Sequence, residues 1–75
     1  MAKNKVYKTI VSAVQTGLLA EPFGMQEFRK ACPGFGDGTY RSFLSKHCKG
    51  NGKETELFER VSSGRYIILR PIKYI

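Results

Sequence analysis

The sequence predicts an α+β fold in which three helices precede a C-terminal β-hairpin. Apolar residues recur at helical spacing in the first two thirds of the chain, and the period changes to that of strands from Leu57 onwards. The glycine- and proline-rich stretches "AEPFG", "PGFGDG" and "KGNG" divide the chain, so that three helical segments precede the strands. A chain of 75 residues suits one small domain, which we assign to residues 1–75, with a core at 4–70 and a tail at 71–75.

The first helix is predicted over residues 5–19, where apolar residues repeat every four positions. This stripe consists of Val6, Ile10, Val14 and Leu18, and Val11 and Ala13 widen it. Pro22 and Gly24 break the helical pattern, because proline disfavours a helix at the residue before it. Phe23 between them is therefore expected to be an apolar anchor in an extended connector.

Two shorter helices are predicted on either side of "PGFGDG". The first begins near Met25 and stops at Pro33 and Gly34. Asp37 is the predicted N-cap of the next one, because its carboxylate can accept the free amide hydrogens of the first turn. The apolar face of this third helix consists of Tyr40, Phe43, Leu44, His47 and Cys48, and its polar face of Arg41, Ser42, Ser45, Lys46 and Lys49.

The last third of the chain is predicted to form the hairpin. The strands "LFERV" and "RYIILR" are rich in branched and aromatic residues, and "SSG" between them is a short turn in which Gly64 can adopt a positive φ angle. Residues 49–56 are expected to form a surface loop. Pro71 ends the pairing and leaves "IKYI" as an apolar tail.

The charge of the chain points to an anionic partner. Thirteen Lys and Arg residues against six Asp and Glu residues give a formal net charge of +7. On so small a surface this charge creates a positive potential that attracts polyanions, and nucleic acid is the commonest of these. No apolar stretch approaches the length of a membrane span or a signal peptide, so we expect a cytoplasmic protein that has no contact with membrane.

Metal binding and catalysis find little support in the sequence. Cys32, His47 and Cys48 lack the paired short spacings of structural zinc sites, and the glycines of "PGFGDG" lack the Lys-Ser/Thr ending of a phosphate-binding loop. We therefore expect no cofactor, no metal and no enzymatic activity. In a cytoplasmic protein the two cysteines are expected to be reduced and to act as small hydrophobic residues, with a disulfide between them as the alternative.

The run from "FGMQEFRKACPGFGDGTYRSFLSKHC" to "LFERVSSGRYIIL" resembles small prokaryotic winged helix-turn-helix domains, in which a C-terminal β-hairpin is the wing. The shared features are a proline-glycine turn at residues 33–34, an apolar-x-Arg-Val step at 58–61 and a Gly-x-Tyr step at 64–66. The resemblance covers about residues 4–70, which is nearly the whole chain.

This resemblance implies a DNA-binding protein that acts as a small transcriptional regulator and is associated with the nucleoid, in which helix 3 enters the major groove and the wing reaches the flanking backbone. The residues implied are Thr39, Arg41, Ser42, Ser45 and Lys46 on helix 3, Lys49 toward phosphate, and Arg60, Ser62, Ser63 and Arg65 on the wing. Arg41 has the planar, forked side chain that suits guanine O6 and N7. Arg29 or Lys30 of helix 2 would lie near the DNA backbone.

Three alternatives stay open at the level of the sequence. The cationic face of helix 3 can be an ordinary solvated surface. Winged helices also serve as protein-docking modules, and the tail at 71–75 can join two copies into a homodimer that reads two half-sites. RNA binding is less favoured than binding of double-stranded DNA, because the aromatic residues are expected in the core and not on a stacking surface.

Overall fold

A computed structural model of the chain describes residues 2–50 and 55–72, with side chains from residue 5 onwards. Its elements are α1 (Ala2–Gln15), α2 (Met25–Ala31), α3 (Asp37–Lys46), β1 (Phe58–Ser62) and β2 (Arg65–Ile68). The two strands form an antiparallel hairpin. The predicted α+β fold is therefore confirmed, and the order of its elements matches the layout of a winged helix. In the described ranges no helix combines the length and the apolar character that a membrane span requires.

Two parts of the predicted organisation lie outside the described residues. These are positions 51–54 of the loop predicted at 49–56, and positions 73–75 of the predicted tail. The part of the tail that the structure describes includes Ile72, which packs against the hydrophobic core.

Helix α1 ends at Gln15, four residues before the predicted end, because Gly17 terminates it. Gly17 has a φ angle of +83°. Its N–H donates to the carbonyl of Val14 at 3.2 Å, and the N–H of Leu18 donates to the carbonyl of Ala13 at 2.9 Å. This pair of bonds is a Schellman motif, which satisfies the last carbonyl groups of the helix. The prediction that Leu18 belongs to the buried stripe was wrong, since its side chain is 73% exposed.

The connector after α1 adds a third short segment to the sheet. Phe23 exchanges two backbone hydrogen bonds with Tyr66 of β2, at 2.9 and 2.8 Å. Its side chain is fully buried, as the sequence predicted for an apolar anchor. The pairing ties the entrance of α2 to the second strand of the hairpin.

Phe58 at the start of β1 lies at the centre of the aromatic core. Its ring makes edge-on contacts with Tyr7 of α1, Phe23 of the connector and Phe43 of α3, with ring centroids 6.1, 6.2 and 5.8 Å apart. Edge-on pairs are favourable because the positive rim of one ring meets the negative face of the other. The hairpin, the connector and two of the helices therefore pack on one residue.

Tyr40 of α3 holds the turn between α2 and α3. Its hydroxyl donates to the carbonyl of Cys32 at 2.5 Å and accepts a hydrogen bond from the N–H of Phe35 at 3.1 Å. The ring packs edge-on against Phe28 of α2, with centroids 5.0 Å apart. One buried side chain thus satisfies two backbone groups of the turn and fixes the position of α3 relative to α2.

The start of α3 differs from the prediction by one residue. Gly36 is the N-cap and Asp37 is the first residue of the helix, so the carboxylate of Asp37 does not cap the first turn. It forms an ion pair with Arg29 of α2 instead, at 3.1 Å. A negative charge in the first turn still favours the helix through its dipole.

Short hydrogen bonds fasten the end of α3 to the start of β1. The N–H of Leu57 donates to the carbonyl of His47 at 2.7 Å, and the N–H of Lys49 donates to the carbonyl of Phe58 at 2.7 Å. The buried ring of His47 donates from Nδ1 to the carbonyl of Thr55 at 2.8 Å. These contacts hold Lys49 beside the hairpin.

Both cysteines are free thiols. Cys32 is fully buried, and this burial raises the pKa of its thiol. Cys48 is half-buried and packs against the core. The predicted burial is therefore confirmed for Cys32, whereas Cys48 reaches the core only from a half-buried position.

Glu21 links the connector to the end of the hairpin. Its carboxylate accepts hydrogen bonds from the N–H of Ile68 at 2.7 Å and from both terminal nitrogens of Arg70, at 3.1 and 2.9 Å. Partial burial alone would raise the pKa of Glu21, but the bonds from Arg70 and Ile68 and the charge of Arg70 together lower it below its ordinary value of 4.5.

The lowered pKa of Glu21 predicts a loss of stability in acid. A carboxylate with a depressed pKa in the folded state contributes stability that is present above pH 4.5 and is lost as the pH falls through the folded-state pKa. Glu21→Gln should cost about 1 kcal/mol at neutral pH, where a charge-assisted bond is partly screened by solvent. The difference in unfolding free energy between the wild-type chain and Glu21→Gln, measured by urea unfolding, should shrink as the pH falls below 4.5. Glu59→Gln is the control, and an equal pH dependence in both variants would contradict the role of Glu21.

Candidate nucleic-acid interface

Helix α3 presents a narrow polar face to solvent. Arg41, Ser42, Ser45 and Lys46 are exposed, as predicted, and Thr39 is half-buried. The Ser42 hydroxyl donates to the carbonyl of Gly38 at 2.7 Å, one turn earlier, so the small side chains lie close to the helix backbone. A methyl group at Gly38 would contact nothing. No side chain therefore projects far from the helix at the centre of this face, so another molecule can approach the backbone of α3.

A groove of about 260 Å³ separates α3 from the hairpin. The structure brings three predicted site residues to its walls, with Ser45 and Lys49 on the helix side and Arg60 on β1. Arg60 reaches this groove because it lies two residues after Phe58 and so points to the same face of the strand, beyond the edge of the core. The remaining lining residues are Cys48, Gly50 and Tyr66.

Sequence reasoning missed three of these lining residues, Cys48, Gly50 and Tyr66. Gly50 has a φ angle of +92°, and a glycine immediately after Lys49 was the available signal for a sharp bend at this point. Tyr66 was expected in the core with the other aromatic residues, and it is indeed buried. Its position opposite Arg60 in the strand register makes it the floor of the groove.

The other side of α3 borders a second groove, of about 440 Å³, next to α1. Its walls contain Thr39, Ser42 and Lys46, together with Val6 of α1 and the buried His47. The predicted residues of α3 therefore divide between the two sides of the helix. Ser45 and Lys49 face the hairpin, and Thr39 and Lys46 face α1.

The predicted wing residues do not lie on one surface. Ser62 and Ser63 are exposed at the turn, where one extra residue, Val61, bulges out of the ladder. Arg65 lies on the opposite face of the strand from Tyr66, and it forms an ion pair at 3.1 Å with Glu27 of α2. The structure therefore places Arg65 away from Arg60 and from the groove beside α3.

Ion pairing separates the arginines of the described ranges into two groups. Three of them have carboxylate partners: Arg29 pairs with Asp37, Arg65 with Glu27 and Arg70 with Glu21, at 3.1, 3.1 and 2.9 Å. Arg29 also lies over the ring of Tyr40, which makes it a structural residue of the α2–α3 contact.

Arg41 and Arg60 form the second group, since neither pairs with a carboxylate of the described residues. The same holds for Lys49. Arg41 lies one turn before Ser45 on α3, so all three cations border the exposed helix face or the groove beside it. Three cations that have no carboxylate partner among the described residues thus lie where α3 meets the hairpin. We call Arg41, Lys49 and Arg60 the unpaired cations.

Metal ligands do not cluster in the part of the chain that the structure describes, where no group of three His, Cys, Asp or Glu side chains is placed to hold an ion. The polar groups at the interface are hydroxyls, guanidinium groups and ammonium groups. These are donors suited to phosphate oxygens and to the edges of bases.

Comparison with known proteins gives no significant match to a protein-family model, to a curated protein or to a solved structure. The class of the protein is therefore defined by its fold alone. It is a small α+β domain with the layout of a winged helix.

Proposed function

We propose that the protein binds double-stranded DNA as a small transcriptional regulator, with the exposed face of α3 in the major groove and the hairpin against the backbone. The observation that carries the proposal is the position of the unpaired cations. They lie around the exposed face of α3, whereas the other described arginines are neutralised by carboxylates elsewhere. A polyanion therefore competes with no ion-paired carboxylate of the described residues for these three side chains.

The shape of α3 supports the same conclusion. A helix of 10 residues is about 15 Å long, and the major groove of B-DNA is about 12 Å wide and admits one helix. Gly38 has no side chain, and those of Ser42 and Ser45 are short, so the backbone of α3 can approach the base edges closely. Long side chains at the borders then reach the phosphates on either side.

The unpaired cations have different roles in this arrangement. Arg41, on the helix itself, is positioned to read a base, and its fork suits guanine O6 and N7. Lys49 and Arg60 flank the groove between α3 and the hairpin, where they hold backbone phosphates. The exposed hydroxyls of Ser62 and Ser63 can donate to phosphate at the turn. We do not include Arg65 among the phosphate contacts, because its side chain is ion-paired with Glu27.

Arg41→Ala tests the role of the helix. A duplex site is first selected from random sequences with the wild-type chain, and affinities are then measured by fluorescence anisotropy. Loss of a base contact should weaken binding to the selected site by about 1–3 kcal/mol and relax the preference at one position. Lys8→Ala removes one exposed cation from α1 as the matched control and should change the affinity less than Arg41→Ala.

The outcomes separate the possibilities. If the wild-type chain binds no duplex at about 50 mM salt, the proposed function is wrong. If Arg41→Ala weakens binding equally for all sequences, Arg41 contacts phosphate and does not read a base.

A protein–protein contact is the second candidate, and the exposure of Leu18 is the observation that favours it. This side chain is 73% exposed and borders two shallow grooves, both of which include Ala31 of α2. A homodimer formed through this surface would leave the exposed face of α3 accessible. Sedimentation of the chain at high concentration distinguishes a monomer from a homodimer. A monomer mass would contradict a homodimer formed through this surface.

A further inference from the structure

The turn of the hairpin is packed against the start of α2 without room for a side chain. A Cβ atom at Gly24 would lie 2.8 Å from the carbonyl oxygen of Gly64 in the turn. That contact is shorter than nonbonded atoms tolerate, so only glycine fits at this position without a shift of the backbone. Together with the pairing of Phe23 and Tyr66, the close approach fixes the hairpin beside α2.

Glu27 connects the two elements at this junction. One carboxylate oxygen accepts a hydrogen bond from the N–H of Gly24 at 3.0 Å, and the other pairs with Arg65 of β2 at 3.1 Å. The bonds from the N–H groups of Glu27 itself and of Gly24, and the nearby Arg65, lower the pKa of the Glu27 carboxyl. Glu27 is therefore charged at neutral pH and holds a cation of the hairpin.

The guanidinium of Arg65 remains accessible to solvent although Glu27 pairs with it. The side chains of Arg65 and Glu27 are 45% and 47% exposed. The pair contributes only about 0–1 kcal/mol to stability, so its loss leaves the fold intact, and Arg65 can then meet a phosphate. Arg65 also lies opposite Ser62 in the strand register, next to the turn that is proposed to meet the DNA backbone.

We infer that Glu27 is a specificity-determining residue: it occupies Arg65 and so keeps this arginine from adding a sequence-independent phosphate contact. The inference rests on the proposed DNA-binding function and goes beyond it by naming the residue that limits non-specific affinity. A phosphate contact strengthens binding to every sequence equally and therefore lowers the advantage of the correct site. At the hairpin the carboxylate of Glu27 takes the place of a phosphate beside Arg65 and so prevents this loss of specificity.

Glu27→Gln tests the inference because glutamine keeps an oxygen that can accept from Gly24 but loses the charge that holds Arg65. Binding to a labelled random-sequence duplex is measured across a salt series. Release of Arg65 should tighten this binding by up to about 8-fold at 0.1 M salt and steepen the slope of log affinity against log salt by about 0.9. Glu59→Gln is the matched control, since Glu59 makes no ion pair with a described residue. It should leave the slope unchanged.

Two further variants isolate the arginine. In the double variant Glu27→Gln/Arg65→Ala the slope should return to the wild-type value. Arg65→Ala alone should not alter the slope, because Arg65 is already occupied. Equal behaviour of Glu27→Gln and Glu59→Gln would overturn the inference, and so would a shallower slope for Arg65→Ala alone.

Elution from immobilised heparin, a sulfated polyanion, separates failure of this inference from failure of the proposed function. Glu27→Gln should elute at higher salt than Glu59→Gln, and the added Arg65→Ala substitution should remove the difference. If this order of elution is found but the chain binds no duplex, the proposed function is wrong. The inference that Glu27 limits the contact of Arg65 with polyanions would still hold. If Glu27→Gln and Glu59→Gln elute together, the inference fails.

Discussion

Replacement of both Lys49 and Arg60 by alanine is expected to weaken DNA binding about 60-fold at 0.1 M salt. Each phosphate contact releases close to one counterion, which is worth roughly a factor of 8 in affinity at this salt concentration. Both residues border the groove between α3 and the hairpin, and neither has a carboxylate partner among the described residues. Neither substitution creates a buried cavity, because both side chains are exposed. The loss of two phosphate contacts should also reduce the slope of log affinity against log salt concentration by about 1.8.

The matched control is the double variant Lys5→Ala/Lys8→Ala. It removes the same charge from two exposed positions of α1 that the proposed interface does not include. This variant should retain most of the affinity and the slope of the wild-type chain. Equal losses in the two double variants would mean that DNA responds to net charge alone, and the assignment of the interface to α3 and the hairpin would be wrong.

Tyr40→Phe is expected to destabilise the fold by about 2–3 kcal/mol. The substitution keeps the ring that packs against Phe28 but removes the hydroxyl that serves Cys32 and Phe35. Two backbone groups of the α2–α3 turn then lose their partner, and each unsatisfied buried group costs about 1–3 kcal/mol. Urea unfolding followed by circular dichroism measures the change. Because the turn sets the position of α3, DNA affinity should fall as well, even under conditions where the variant remains folded.

Tyr66→Phe is the control for this substitution. The hydroxyl of Tyr66 makes no hydrogen bond with the described residues, so its removal should change stability by less than about 0.5 kcal/mol. If Tyr40→Phe and Tyr66→Phe had the same stability, the hydrogen bonds of Tyr40 would not be what holds the turn.

The sequence predicts the elements of this fold well because each depends on local patterns. The apolar period of α1 and the change of period at Leu57 reflect burial on one side of a helix or strand. The boundaries were less accurate where two local signals compete. Gly17 ends α1 although the apolar repeat continues to Leu18, because a left-handed glycine closes the Schellman motif there. At α3, Gly36 takes the capping position that Asp37 was predicted to hold.

Contacts between distant segments were outside the reach of the sequence. Glu21 and Arg70 are far apart along the chain, and nothing in either segment indicates that they pair. The same is true of the sheet pairing of Phe23 with Tyr66, since a single extended residue carries no strand pattern. Such pairs depend on how the hairpin folds back on the connector, which only the assembled structure specifies.

The candidate site was predictable in part. The helical period assigned Arg41, Ser42, Ser45 and Lys46 to the exposed side of α3, where the structure places them. Counting charges could not show which cations are already paired. Arg65 was grouped with Arg60 because both belong to the hairpin, yet it lies on the opposite face and pairs with Glu27.

The dependence of DNA affinity on salt is the most direct test of the account. A labelled duplex is titrated with the wild-type chain by fluorescence anisotropy at salt concentrations from about 50 to 200 mM. If the unpaired cations and their neighbours neutralise about six phosphates, the affinity should fall roughly a thousandfold across this range. No binding at about 50 mM salt, or an affinity that does not change with salt, would contradict the proposal that α3 and the hairpin form a DNA-binding surface.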